Sequence, residues 1–207
     1  MGSGIISDAV RIAIIGTGKM GRGFAGALAS RHEVVFGSRH PDRAKKITRS
    51  TGAAGAMSSA EAAAGAEVVI LAVPWQAMKE TLTQLGDLER TVVVDVSVPY
   101  GKERDALGRR SSGEVVQKRL PRARVVKGWN HVFAQYLTAP EVNGIAASVL
   151  LAGDDHEAKG VVSALARDMG FHPVDVGLLR ESYHLDRLVS MMLFVKLGPF
   201  RVLTSRP

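Results

Sequence analysis

A chain of 207 residues with a 46% hydrophobic share is long enough to bury the core of one sizeable domain. It contains no cysteine, which excludes disulfides, thiolate catalysis and cysteine-ligated metals. No run approaches the ~20 apolar residues of a membrane span. The net charge of +7 with only 5% aromatic residues favours anionic small molecules over nucleic acid, whose bases would need a stacking platform. Met1-Gly2-Ser3-Gly4 reads as a flexible leader. With no basic segment running into an apolar stretch at the N-terminus, a cytoplasmic location is expected.

The first predicted strand, Arg11–Ile15, runs straight into Gly16-Thr17-Gly18-Lys19-Met20-Gly21, and a helix over Met20–Ser30 follows. In such a turn the first glycine permits the tight bend and the second lets a diphosphate approach the backbone. The third lets helix and strand pack closely. The helix N-terminus then offers unpaired amides to the anion. A second strand, Glu33–Gly37, ends in Ser38-Arg39, with Arg43 close behind. A dinucleotide site selective for NAD would place a carboxylate here for the ribose hydroxyl. A hydroxyl and a guanidinium instead suit a 2′-phosphate, so the pattern predicts NADP(H).

A weak short strand is expected near Ala53–Met57, and further strands at Val68–Val73, Val92–Val96, Arg124–Lys127, Ser148–Ala152 and Pro173–Asp175. Helices are expected over Arg43–Ser50, Ser59–Ala64, Trp75–Leu85, Asp155–Met169 and Arg180–Leu197. Strand and helix alternate, and several strands are continuous β-branched runs. Both features predict a single doubly wound α/β domain with a mostly parallel sheet and a C-terminal helix. Pro99–Pro121 reads as a long surface loop carrying one short helix, Gly113–Leu120. The last helix is apolar on both sides (Leu185, Leu188 and Val189; Met191 and Phe194), which predicts packing against a second subunit.

Ligands of such sheets sit beyond the carboxyl ends of the strands. There the chain offers Val73-Pro74-Trp75, Ser97 with Tyr100, and Gly128-Trp129-Asn130-His131. Trp75 either walls the cofactor site or simply packs. Asn130 and His131 are the candidate catalytic residues, expected to face one cleft. For His131, proton transfer near neutral pH and a structural hydrogen bond both stand open. The other histidines have no metal-ligand spacing, so no metal site is expected. The cleft segments carry no Tyr-x-x-x-Lys pair, which suits a hydride transfer that needs little acid–base help.

The blocks Gly16–Gly23, His32–Arg39, Val73–Trp75, Ser97–Tyr100, Val125–Asn130, Ala152–Lys159 and Pro173–Leu179 resemble the NADPH-dependent deazaflavin (coenzyme F420) reductases. The resemblance implies a Rossmann-type NADP-binding domain over 10–177. Residues 178–207 would form a C-terminal helix and tail that completes the substrate pocket and a homodimer interface. It implies Gly16, Thr17, Gly18, Lys19, Met20 and Gly21 at the diphosphate, and Ser38, Arg39 and Arg43 at the 2′-phosphate. Val73, Pro74, Trp75 and Ser97 would border the cofactor. Trp129, Asn130 and His131 would line the side of a deazaflavin or flavin acceptor, with Gly177 and Leu178 beside it. The family carries Ala-Phe-Asn-Thr where this chain has Gly128-Trp129-Asn130-His131, a change at the acceptor side. A reductase of a small imine, enone or ketone is therefore the second reading, and a non-catalytic NADP(H) sensor the third.

Overall fold

The computed structural model describes residues 9–142 and 144–195. The leader Met1–Gly4, the expected last residues of the C-terminal helix and the tail lie outside them.

Strands β1 (Arg11–Ile15), β2 (Glu33–Gly37), β3 (Gly55–Met57), β4 (Val68–Leu71), β5 (Val92–Asp95) and β6 (Arg124–Lys127) are all parallel, in the order β3-β2-β1-β4-β5-β6. The order reverses between β1 and β4, which opens a crevice above the carboxyl ends of those two strands. The chain then makes a small hairpin of β7 (Glu141–Val142) and β8 (Ile145–Ala146). It returns as β9 (Ser148–Gly153), antiparallel to β6, and ends the sheet with β10 (His172–Asp175), parallel to β9.

Both faces of the sheet are covered, which is why β1, β4, β5 and β9 read as unbroken apolar runs rather than alternating ones. Ile12, Ile14, Ile70 and Val94 face one layer, where they meet α1 (Lys19–Leu28), α2 (Pro41–Thr51) and, through Val162 and Leu165, α7 (His156–Asp168). Ala13, Ile15, Leu71 and Val93 face the other. There they meet α3 (Ser59–Ala63), α4 (Trp75–Gln84) and, through Val116, α6 (Ser112–Arg119). The C-terminal helix α8 (Ser182–Val195) lays Leu185 against Leu150 and Ala152 of β9.

The expected single α/β domain with a mostly parallel sheet and a C-terminal helix is what the chain forms. Several details differ. The segment Pro99–Pro121 holds two helices, α5 (Lys102–Leu107) and α6, rather than a loop with one. Helix α6 starts at a reciprocal cap: the Ser111 hydroxyl accepts from Glu114 N while the Glu114 carboxylate accepts from Ser111 N. Helix α2 starts at Pro41, two residues early, because proline suits the first helical position, where an amide hydrogen is not needed. Val68–Val73 stops as strand at Leu71, and the last helix begins at Ser182 after a 3-10 turn, Leu179–Glu181.

The closest packing lies where β1 turns into α1. Gly16 has φ +115°, and a Cβ there would stand 2.4 Å from the Ala72 carbonyl oxygen. A Cβ on Gly21 would stand 2.1 Å from the Gly16 carbonyl oxygen, and backbone cannot yield as a side chain can. Gly21→Ala is expected to cost about 1–3 kcal/mol or more in urea unfolding. Gly55→Ala, with no atom within 4 Å of the added Cβ, should stay within about 0.5 kcal/mol. Equal small losses would contradict this packing.

Candidate active site at the carboxyl edge of the sheet

Two openings lie side by side above the strand ends. A groove of about 220 Å3 runs from Gly16, Thr17 and Gly18 past Ser38 and Arg39 to Val73 and Pro74. A larger cleft of about 770 Å3 begins at Lys19 and Met20 and is walled by Val96, Val98, Trp129, Asn130, Val132 and Phe133. Consecutive residues of the α1 start, Gly18 and Lys19, border one and the other, so the two openings meet at that helix N-terminus.

The groove has the form of a dinucleotide cradle. Gly18 is the N-cap of α1 and makes no side-chain cap, and the first turn holds no acidic residue. The leading amides of the helix are therefore left for an anion. No atom lies within 4 Å of where a Gly18 Cβ would be, so the backbone is open to a diphosphate. Arg22 Nε donates to the Thr17 carbonyl at 3.0 Å and braces the turn from behind.

At the far end of the groove, Ser38 Oγ accepts from His40 N at 3.0 Å and retains its own hydrogen for an incoming oxygen. Arg39 is exposed, with Nη1 3.7 Å from Glu80 Oε2, a surface pair too weak to hold it against a phosphate. Arg43 stands exposed on α2 outside the groove lining. Trp75 is half-buried in the core layer beside Val73 rather than lining the groove. Tyr100 is exposed, and neither it nor Gly177 or Leu178 borders the larger cleft. Ser97 is buried between two cleft residues, Val96 and Val98, and its hydroxyl has no hydrogen-bond partner in the described structure.

Beneath the cleft floor lies a buried polar cluster. Asp95 and Lys127 stand in register on adjacent strands, and Lys127 Nζ reaches Asp95 Oδ2 at 2.9 Å with neither side chain exposed. The same ammonium donates to the Ser97 carbonyl at 2.6 Å and to Ser112 Oγ at 2.7 Å. Asp186 of α8 accepts from Ser112 N at 2.8 Å and Ser112 Oγ at 3.1 Å, and lies 3.5 Å from Lys127 Nζ. Asn130 Nδ2 donates to Asp186 Oδ1 at 3.4 Å, which links the cluster to the cleft wall.

Asn130 and His131 do not face one cleft. Trp129 adopts φ +52°, an unfavourable conformation for a bulky residue, and its ring is buried edge-on against Phe24 at 5.4 Å and Phe171 at 6.3 Å. After this turn Asn130 borders the cleft, while His131 lies behind it against Ser148 and Phe171. Burial pushes His131 down from 6.5 to about 4; the Ser148 carbonyl beside Nε2, which favours the protonated ring, opposes this and the nearby Lys127 charge adds to it.

The sequence profile of the family described as NADP oxidoreductase coenzyme F420-dependent matches residues 11–99. The F420-dependent NADP reductase of Methanocaldococcus jannaschii is 29% identical over 89% of this chain and 91% of its own length. A solved structure of a candidate F420-dependent NADP reductase from Arthrobacter sp. FB24 superposes with a TM-score of 0.84 at 27% identity, covering 96% of this chain and all of that one. The chain belongs to the F420-dependent NADP oxidoreductase family. It is thus an NADP-dependent oxidoreductase. Metalloreductase STEAP3 of Rattus norvegicus is 35% identical over 90% of this chain, which spans only 38% of that protein's length. Reductive aminases from Aspergillus terreus, at 20% identity or less and TM-scores of 0.65 to 0.68, share the fold.

Within this family member, the buried cluster is what the sequence reading missed. Its signal was present: Val92-Val93-Val94-Asp95 and Arg124-Val125-Val126-Lys127 end neighbouring apolar strands in opposite charges.

A lowered histidine pKa makes stability pH-dependent. Between pH 6.5 and about 4 the unfolded chain takes a proton on residue 131 that the folded chain refuses. The contribution of His131 to stability is therefore full above pH 6.5 and falls by about 3 kcal/mol as pH drops to about 4. The difference in unfolding free energy between wild type and His131→Asn is expected to decline across that window. A difference independent of pH would show that residue 131 stays protonable in the fold.

Proposed function

We propose that the chain exchanges a hydride between NADP(H), held in the glycine-turn groove, and a deazaflavin or flavin coenzyme in the adjoining cleft. One observation carries this reading. The larger cleft opens directly from the α1 N-terminus, where Lys19 and Arg22 line it, and its other walls are mainly apolar, with no carboxylate among the lining residues. Bound NADPH supplies the hydride itself, so the protein's task is to bind, orient and exclude water. Gly16, Thr17, Gly18 and the α1 amides would hold the diphosphate, with Lys19, Met20 and Gly21 shaping the helix start. Ser38 and Arg39, with Arg43 nearby, would hold the 2′-phosphate. Val73 and Pro74 would border the cofactor, with Trp75 packed behind them and Ser97 buried behind the cleft wall, and Asn130 would touch the nicotinamide end or the acceptor. The apolar walls Val96, Val98, Val132 and Phe133 would keep water from the reacting carbons.

His131 is assigned a structural role in this scheme, because it lies outside the cleft lining and is neutral near physiological pH. That placement weakens the rival reading of a small imine or ketone reductase, which needs a proton donor beside the substrate. Val189 of α8 closes one side of the cleft, consistent with residues from 178 onward completing the pocket. Pairing of two copies as a homodimer through this helix belongs to the same proposal.

The test is turnover by purified protein of NADPH with the oxidised deazaflavin coenzyme. Coenzyme-dependent loss of NADPH is expected. Consumption only with imines or ketones would replace this reading, and tight NADPH binding with no turnover would favour a sensor. Arg39→Ala is expected to raise the Kd for NADPH about 10-fold or more, the worth of a charged hydrogen bond, while leaving NADH nearly unchanged. Equal losses for both would remove Arg39 from the 2′-phosphate.

A further inference from the structure

We propose that His131 is a positioning residue, locking the Asn130 amide so that its second Nδ2 hydrogen is offered to a carbonyl oxygen of the molecule in the cleft. The proposal rests on the hydride-exchange reading for what the cleft holds, and on the following geometry for the lock itself.

Asp186 is buried and can only accept where it meets the amide. Its carboxylate is fixed by Ser112 N and Ser112 Oγ, which Lys127 anchors in turn to β5 and β6. The Asn130 atom 3.4 Å from Asp186 Oδ1 must therefore be Nδ2, since an oxygen there would set acceptor against acceptor. That choice places Asn130 Oδ1 3.2 Å from His131 Nδ1, so Nδ1 must carry the hydrogen and donate it. His131 Nε2 is then the acceptor: Leu150 N donates to it at 3.3 Å, and the Ser148 carbonyl oxygen, 3.4 Å from the same nitrogen, receives no hydrogen from it in this tautomer. One orientation of each group carries the donor-to-acceptor series from Lys127 through Asp186, Asn130 and His131 to Leu150 N.

The consequence lies at the cleft. Oδ1 is taken by His131 and one Nδ2 hydrogen by Asp186, which leaves the other hydrogen on a group that cannot rotate. Asn130 borders the cleft, where Gln135 is the other uncharged polar side chain in the lining. A fixed neutral donor suits a carboxamide or ring carbonyl oxygen, and it is aligned without ordering cost when that oxygen gains negative charge.

The sequence supplies a clean probe, because Asn130 and Asn143 are its two asparagines. Labelling asparagine side chains with heavy nitrogen gives two amide signals by NMR, assigned with Asn143→Ser. In His131→Phe, which keeps bulk but removes the donor, exchange of the Asn130 amide with solvent is expected to quicken about 10-fold. In the same variant kcat with the deazaflavin coenzyme should fall about 5- to 10-fold, the value of one hydrogen bond, with the Kd for NADPH unchanged. His131→Asn, whose side-chain N–H can stand where Nδ1 stood, is expected to restore both. Faster amide exchange with unchanged kcat, or no rescue by His131→Asn, would overturn the proposal. If wild type shows no turnover at all, the functional reading fails while the lock remains decided by NMR. Equal amide exchange in wild type and His131→Phe would then overturn it, and faster exchange in the variant would support it.

Discussion

The ion pair between Lys127 and Asp95 is the interaction on which the site depends. Burying either charge alone would cost several kcal/mol, so both are held only because each is fully engaged. The ammonium meets Asp95, the Ser97 carbonyl, Ser112 and Asp186; Asp95 in turn receives Ser97 N at 2.9 Å. These partners come from β5, β6, α6 and α8, elements far apart in the chain. The cluster therefore fixes where the strand ends stand and where α8 docks. Apolar packing of the same volume could be as stable, but it would not impose one register and one docking position. In this protein that specificity serves the cleft above, because Asn130 hangs from the same cluster through Asp186.

Much of the fold was legible because its signals are local. The glycine turn after β1 and the β-branched runs need only a few neighbouring residues to be read. The direction of β9 was not legible, since an apolar run such as Ser148–Gly153 reads the same for parallel and antiparallel pairing. The two helices in 99–121 were obscured because α5 buries no residue and α6 buries only Ser112, Gly113 and Val116, so apolar periodicity is weak. The Ser111–Glu114 capping pair was the available sign.

The candidate site divides in the same way. The groove residues Gly16, Thr17, Gly18, Ser38 and Arg39 come together as their positions after β1 and β2 imply. Asn130 and His131 follow one another in sequence, yet point to different surroundings. The positive φ at Trp129, whose ring is held between Phe24 and Phe171, bends the chain just before them. A motif gives spacing along the chain, and consecutive residues in it can serve different sides of the fold.

A label-transfer experiment tests the central claim most directly. The protein would be given NADPH deuterated at the nicotinamide carbon that surrenders the hydride, together with the oxidised deazaflavin coenzyme in ordinary water. Direct transfer between two ligands held side by side in the groove and cleft predicts that the deuterium appears in the reduced coenzyme at full retention. Reduced coenzyme lacking the label, or NADPH left unconsumed, would contradict the account.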